Sequence, residues 1–121
     1  MKKEYSPLIN SKFIVGRGSI DYIGRLNKKR AVVVYDERIL SSYTKEKINS
    51  LVSKNGGECR FIADIRNEPY LSDILMVADE MKAFNPDLII ALGGGSVIDT
   101  AKAIHLFYEY HSGFDWIYEY L

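Results

Sequence analysis

The sequence predicts an α/β fold, a parallel sheet with flanking helices, and three observations carry that expectation. Apolar runs rich in β-branched residues recur along the chain, amphipathic stretches with helical spacing separate them, and three consecutive glycines join the last apolar run to the last helical stretch. Apolar runs without polar alternation suit strands covered on both faces. Strands that alternate with helices close into a parallel sheet through right-handed crossovers. A length of 121 residues fits one domain, which buries roughly two-thirds of the surface its unfolded chain exposes.

The elements follow in order. Residues 13–15, Phe-Ile-Val, read as a short strand. Gly16-Arg17-Gly18-Ser19 makes a turn, with Ser19 placed to cap a helix over 20–26. Residues 31–35, AVVVY, form a fully apolar strand that ends at Asp36. A helix is expected over 44–54, with Ile48, Leu51 and Val52 on one stripe and Asn55-Gly56-Gly57 as its stop. Residues 59–65 give the next strand. Pro69 then stands at the mouth of a helix, where its missing N–H does little harm. Leu71, Ile74, Leu75, Ala78 and Met81 place an apolar face on that helix, which ends near Asn85-Pro86. Residues 88–92 are a strand, and a helix runs from Ser96 to about residue 108.

Composition narrows the function classes. Lys plus Arg equals Asp plus Glu at 16 each, which argues against broad capture of nucleic acid, a task that needs a clustered basic face. No apolar run approaches membrane-spanning length. The start, MKKEYSPLINSK, has charge but no apolar core of a signal peptide, so a cytoplasmic location is expected. The single cysteine, Cys59, cannot form an internal disulfide and reads as a small buried hydrophobe in a strand.

Ligands on parallel sheets bind beyond the carboxyl ends of the strands. Asp36, Asn67, Glu68 and residues 93–96 all follow strand ends, so topology gathers them on one rim. Gly93, Gly94 and Gly95 have no Cβ, so their backbone can approach a bound group closely. A helix begins directly after them, and its first N–H groups lack intrahelical partners at the positive end of the helix dipole. Together these features favour a phosphate or diphosphate; tight packing alone is the other reason for such glycines. Ser96 caps the helix or turns its hydroxyl to a phosphate oxygen. Asp99 and Lys102 either pair on the helix surface or face the ligand, where an acid accepts a hydrogen bond from a ligand amide. Asp36 either caps the next turn or holds both hydroxyls of an adenosine ribose and repels an added 2′-phosphate. Two unit charges about 4 Å apart interact by roughly 4 kcal/mol at an effective dielectric near 20, whereas a tenfold preference needs only about 1.4 kcal/mol. The common G-x-G-x-x-G fingerprint with a later acid is absent.

"GGGSVIDTAKAI" resembles the signature of the iron-containing (group III) alcohol dehydrogenases, in their nucleotide-binding half. "FIVGRGSIDYIGRL" is similar to the family's first strand and turn, "RAVVVYDERIL" to its strand ending in Asp, and "DIRNEPYLSDI" to the segment that usually reads Asn-Pro-Thr. "FNPDLIIALGGGSVIDTAKAIHLFYEY" is close to the butanol-dehydrogenase-like branch. The resemblance covers nearly the whole chain. It implies a Rossmann-like domain shared with dehydroquinate synthase, in incomplete form, and NAD as cofactor ahead of NADP. It places Gly94, Gly95 and Ser96 on the cofactor diphosphate, Asp99 near the nicotinamide and Asp36 at the adenosine ribose. Glu68 stands where many members have Asn, and Tyr70 where Thr or Ser is usual; an extra carboxylate there puts a neutral hydrogen bond to the cofactor in doubt.

The resemblance also implies a later all-helical domain that holds iron or zinc through an Asp and several His. His105 and His111, the only histidines, are spaced wrongly for a shared metal face. Hydride transfer from an alcohol needs a Lewis acid on its oxygen, so these residues alone are expected to bind cofactor without catalysis. The alternatives are a fragment of a glycerol dehydrogenase-like enzyme and a non-catalytic nucleotide-binding or assembly module. The aromatic-rich end, FYEYHSGFDWIYEYL (107–121), calls for burial, on the chain's own sheet or through association of copies, and an open sheet edge adds to that tendency.

Overall fold

The computed structural model describes residues 2–4, 12–14, 16–54, 56–65 and 69–109. The centre of the sheet is β3 (Arg30–Tyr35), in which Ala31, Val32, Val33 and Val34 are all fully buried. Parallel to it run β4 (Glu58–Asp64) on one side and β5 (Leu88–Leu92) on the other, in the order β4–β3–β5. The β3/β5 register is regular, from Ala31 opposite Leu88 to Tyr35 opposite Leu92. The β3/β4 register slips between Val33 and Val34, so Tyr35 meets Asp64.

Side chains alternate across a strand, and both faces of β3 are covered. Val32 and Val34 pack with Ala63, Met81, Phe84, Val97 and Ile104 under α2 (Leu71–Phe84) and α3 (Gly95–Glu109). Ala31 and Val33 pack with Ile48, Val52 and Ile90 under α1 (Ser42–Ser53). Opposite-facing helices follow from the chain's path. It steps from β3 to β4 through α1, then crosses back past β3 to β5 through α2, and right-handed crossovers in opposite directions put their helices on opposite faces.

Local chemistry sets the boundaries. The Ser41 hydroxyl accepts the Thr44 N–H, so α1 starts two residues before the position read from sequence. The Asp73 carboxylate accepts the Tyr70 N–H at the start of α2, and Asn85, in the left-handed region at φ 55°, ends it.

Two expectations change. The first strand does not join the parallel sheet among the described residues. β2 (Lys12–Ile14) pairs antiparallel with β1 (Lys2–Glu4) in a separate two-stranded ribbon. The helix expected over 20–26 is a 3-10 helix, Ser19–Arg25, which packs on α1 with Gly24 close to Leu51. Ser19 does not cap it: its hydroxyl donates to the Gly16 carbonyl, and Gly18 at φ 81° takes the cap position. Asn67, Glu68, His111 and the aromatic end from residue 110 lie outside the described residues.

Candidate functional site

Where β3 and β5 end side by side, the next residues of each, Asp36 and Gly93, leave the sheet as neighbours. This is also the point at which strand order reverses, the place where open α/β sheets bind ligands.

The three glycines have different reasons to be glycine. A Cβ on Gly93 would lie 2.6 Å from Val97 Cγ2, and its φ is +155°. Gly93 is therefore required by the packing of the first turn of α3. A Cβ on Gly94 or Gly95 would meet nothing within 4 Å. Packing does not explain those two, and their backbone faces open space.

The Gly94 carbonyl takes the N–H groups of Val97 and Ile98, both at 3.1 Å. The helix thus begins at Gly95, and Ser96 sits inside its first turn rather than at the cap expected from sequence. Among the described residues no acceptor receives the Gly95 and Ser96 amides. They are two donors at the positive end of a fifteen-residue helix. The Ser96 carbonyl accepts the Thr100 hydroxyl at 2.7 Å, which tightens this turn from below.

Gly95, Ser96 and Asp99 line one hollow of about 490 Å³, with Pro69 and Ile74 of the α2 entrance and Thr100. Lys102 lies elsewhere. It lines a hollow of about 430 Å³ along the outer side of β5, with Asp87, Leu88, Ile98, His105 and Tyr108. Three residues, less than one helical turn, separate Asp99 from Lys102, but the structure directs them to different hollows, and among the described residues they form no ion pair. The structure gathers Gly95, Ser96 and Asp99 on one hollow, sets Asp36, Gly93 and Gly94 just beyond the paired ends of β3 and β5, and leaves Lys102 apart.

Asp36 is 5 % exposed and already engaged. Its Oδ1 accepts the Arg38 N–H at 2.9 Å and Arg38 Nε at 3.0 Å, and its Oδ2 accepts Arg38 Nη2 at 2.8 Å. Its carbonyl takes the N–H groups of Ile39 and Leu40. Asp64, at the end of β4, accepts the Glu37 N–H at 2.9 Å. Hydrogen bonding to Asp36, and then the Asp36 charge, hold the Arg38 guanidinium proton more tightly than usual against an opposing effect of burial, with a lesser contribution from the Asp64 charge. The turn-capping role that the sequence allowed for Asp36 is thus realised. Arg38 is the partner that sequence reasoning missed. The signal was the Asp-x-Arg spacing after a strand, which lets an acid bond the amide and side chain two residues on.

A central parallel sheet covered on both faces, with a glycine turn opening onto a helix at its switch point, defines a Rossmann-like α/β module. The chain belongs to the iron-containing alcohol dehydrogenase family, whose model matches residues 10–121. It is 33 % identical over 104 residues to an alcohol dehydrogenase of Thermococcus barophilus, covering 84 % of this chain and 27 % of that protein. It is also 33 % identical over 96 residues to an NADPH-dependent butanol dehydrogenase of Clostridium saccharobutylicum, covering 78 % and 25 %. The solved iron-containing alcohol dehydrogenase of Thermococcus thioreducens superimposes with a TM-score of 0.74 at 29 % identity, covering 83 % of this chain and 27 % of that one. The chain spans about a quarter of the length of these relatives.

Proposed function

We propose that this chain is the dinucleotide-binding part of an NAD(P)-linked dehydrogenase that interconverts primary alcohols and aldehydes. The observation that carries the reading is the open face of Gly94 and Gly95 beside two amides without an acceptor among the described residues. A Cβ at either position would stand in the space a diphosphate needs, so the residues fit the group.

In this reading the Gly95 and Ser96 amides donate to the diphosphate, and the helix dipole adds to their field. The Ser96 hydroxyl, exposed on the same turn, supplies a further donor. Asp99, on the wall of the same hollow, accepts from the carboxamide at the nicotinamide end. Asp36 marks the adenosine end, beyond β3. A bound nicotinamide supplies the hydride acceptor; these residues hold and orient it. Glu68 belongs to the proposed set by its place before α2, outside the described residues, and Lys102 stays in it only through its spacing after Asp99.

Among the described residues no three His, Cys, Asp or Glu side chains converge to hold a metal ion. The described residues therefore do not fit the metal implied by the family. As the reading has it, this chain binds cofactor and by itself does not turn over alcohol.

Titration with NADH, followed by the fluorescence of the bound nicotinamide, tests the reading without requiring catalysis. Saturable binding supports it. A folded protein that shows no saturation up to roughly millimolar NADH overturns it.

A further inference from the structure

The structure places a cation on the carboxylate for which the sequence allows either a turn cap or a ribose contact. Asp36 is buried at the end of β3, while the side chain of Arg38, which grips both of its carboxylate oxygens, is 62 % exposed. The more exposed member of the pair is the guanidinium. We infer that Arg38 sets how this site treats the 2′-position of the adenosine ribose, so that a 2′-phosphorylated dinucleotide is accepted alongside the unphosphorylated one. The inference rests on the dinucleotide reading above and adds the identity of the selecting residue.

An isolated Asp36 carboxylate would repel a phosphate and favour a ribose diol. Gripped through two oxygens in a planar, two-pronged contact, it has much of its charge compensated, and its field at the rim is that of an ion pair with the positive end outward. The turn holds this arrangement in place. The Arg38 amide is bonded to Asp36 Oδ1, the Ile39 and Leu40 amides to the Asp36 carbonyl, and the Glu37 amide to Asp64. Of the other charges nearby, Glu37 pairs with Lys45 at 3.5 Å, and Asp64 holds the Glu37 amide while its charge also bears on Arg38. An arginine with this exposure and a fixed backbone can pivot its fork to share a phosphate oxygen while its near edge stays on Asp36.

A merely structural Asp36–Arg38 pair would move the two cofactors alike; a selecting pair separates them. The experiment is paired NADH and NADPH fluorescence titration of the wild type, Arg38→Gln, Arg38→Lys and the double variant Asp36→Asn with Arg38→Gln. The wild type is expected to bind NADPH with a Kd within about tenfold of that for NADH. Arg38→Gln removes the cation that grips Asp36, so NADPH should weaken by at least about tenfold while NADH changes by less than about threefold. Arg38→Lys keeps the charge and should retain most of the NADPH binding. The double variant removes both charges of this pair and should recover part of what Arg38→Gln loses. Equal loss of both cofactors in Arg38→Gln, an unchanged NADPH-to-NADH ratio, or a wild type that binds NADH but not NADPH each overturns the inference and leaves the dinucleotide reading standing. A wild type that saturates with neither overturns both.

Discussion

The two ends of the parallel sheet are built on opposite terms. At the amino ends of the strands polar groups of the described residues answer one another. Asp87 accepts the amides of Arg30 at 2.8 Å and Lys29 at 3.1 Å, and its own amide returns a bond to the Arg30 carbonyl. Arg30 donates its side chain to the Phe84 carbonyl and lies over the Phe84 ring. Gly57 is pressed so closely against Lys29 that a Cβ would meet its carbonyl at 2.7 Å. At the carboxyl ends, Gly94 and Gly95 face empty space, two amides have no acceptor among the described residues, and an arginine stands exposed over a buried acid. One end spends its residues on closure and the other keeps them available. Glycine has a different meaning at each end, and substitution of single glycines is the most direct way to break the comparison.

Gly93 belongs by its contacts to the closed kind, although it sits at the open end. Gly93→Ala places a methyl 2.6 Å from Val97 Cγ2 at a φ that side chains rarely adopt, so a loss of about 2–4 kcal/mol of stability is expected. Denaturant unfolding measures it; a loss below about 0.5 kcal/mol would show that the first turn of α3 yields. Gly95→Ala should behave in the opposite way. The site is helical and open, so alanine should raise stability by about 0.5–1 kcal/mol, yet it should weaken NADH by at least about tenfold because its methyl fills the cradle. A variant that is more stable and still binds NADH normally would remove Gly95 from the site and blur the contrast between the ends.

How much of this is legible in the sequence follows the same division. The strand at 88–92 reads true to the residue, and 31–35 misses only Arg30, because continuous β-branched runs buried on both faces leave little choice of period. The 3-10 segment reads as an ordinary helix, because Ile20 and Ile23 carry the apolar spacing of both and only the fold shows which hydrogen bonds close. The second strand is legible at 13–15, but β1 and its antiparallel pairing with β2 escape because Lys2–Glu4 carries no apolar alternation. At the site, the glycine turn and Asp36 are legible from their places after strands. The fate of Asp36 is not. The Asp-x-Arg spacing allows its pairing with Arg38, but whether the turn folds back to close that pair is decided only in the fold. Lys102 is assigned by spacing from Asp99, but a three-residue step turns a helix by less than a full circle, enough here to send the two side chains to different hollows.

The closed end has a pH signature. Burial pushes the Asp87 carboxyl up, but the amide bonds from Arg30 and Lys29, with the Lys28 charge, outweigh it and hold the carboxyl below the ordinary carboxylate range. A carboxyl depressed in the folded state adds stability above its unfolded pKa, and that contribution fades as pH falls through the folded value. Asp87→Ala should therefore cost about 1 kcal/mol near neutrality, a modest figure because the group is exposed. The gap between variant and wild type should narrow in acid as Asp87 protonates. Unfolding curves at neutral and acidic pH check this; a gap that stays constant with pH would mean the clamp acts through shape and not through charge.

The smallest effect tests whether the closed end also silences chemistry. Cys59 pairs with Ala31 in the register near that end, half-buried in β4 beside the core of Ala31, Val33 and Ile48. Burial alone pushes its thiol up to about 11. At neutral pH roughly one molecule in ten thousand then carries the reactive thiolate, far below the share of an ordinary cysteine. Alkylation of the folded protein should accordingly be slow at pH 7 and rise steeply toward pH 11 without levelling near 8.5. Replacement by valine, close in size and equally apolar, should shift stability by less than about 1 kcal/mol. Fast labelling at pH 7 of protein that remains folded would mean that β4 opens often enough to expose its inner face, and the amino end of the sheet would then be closed only on average.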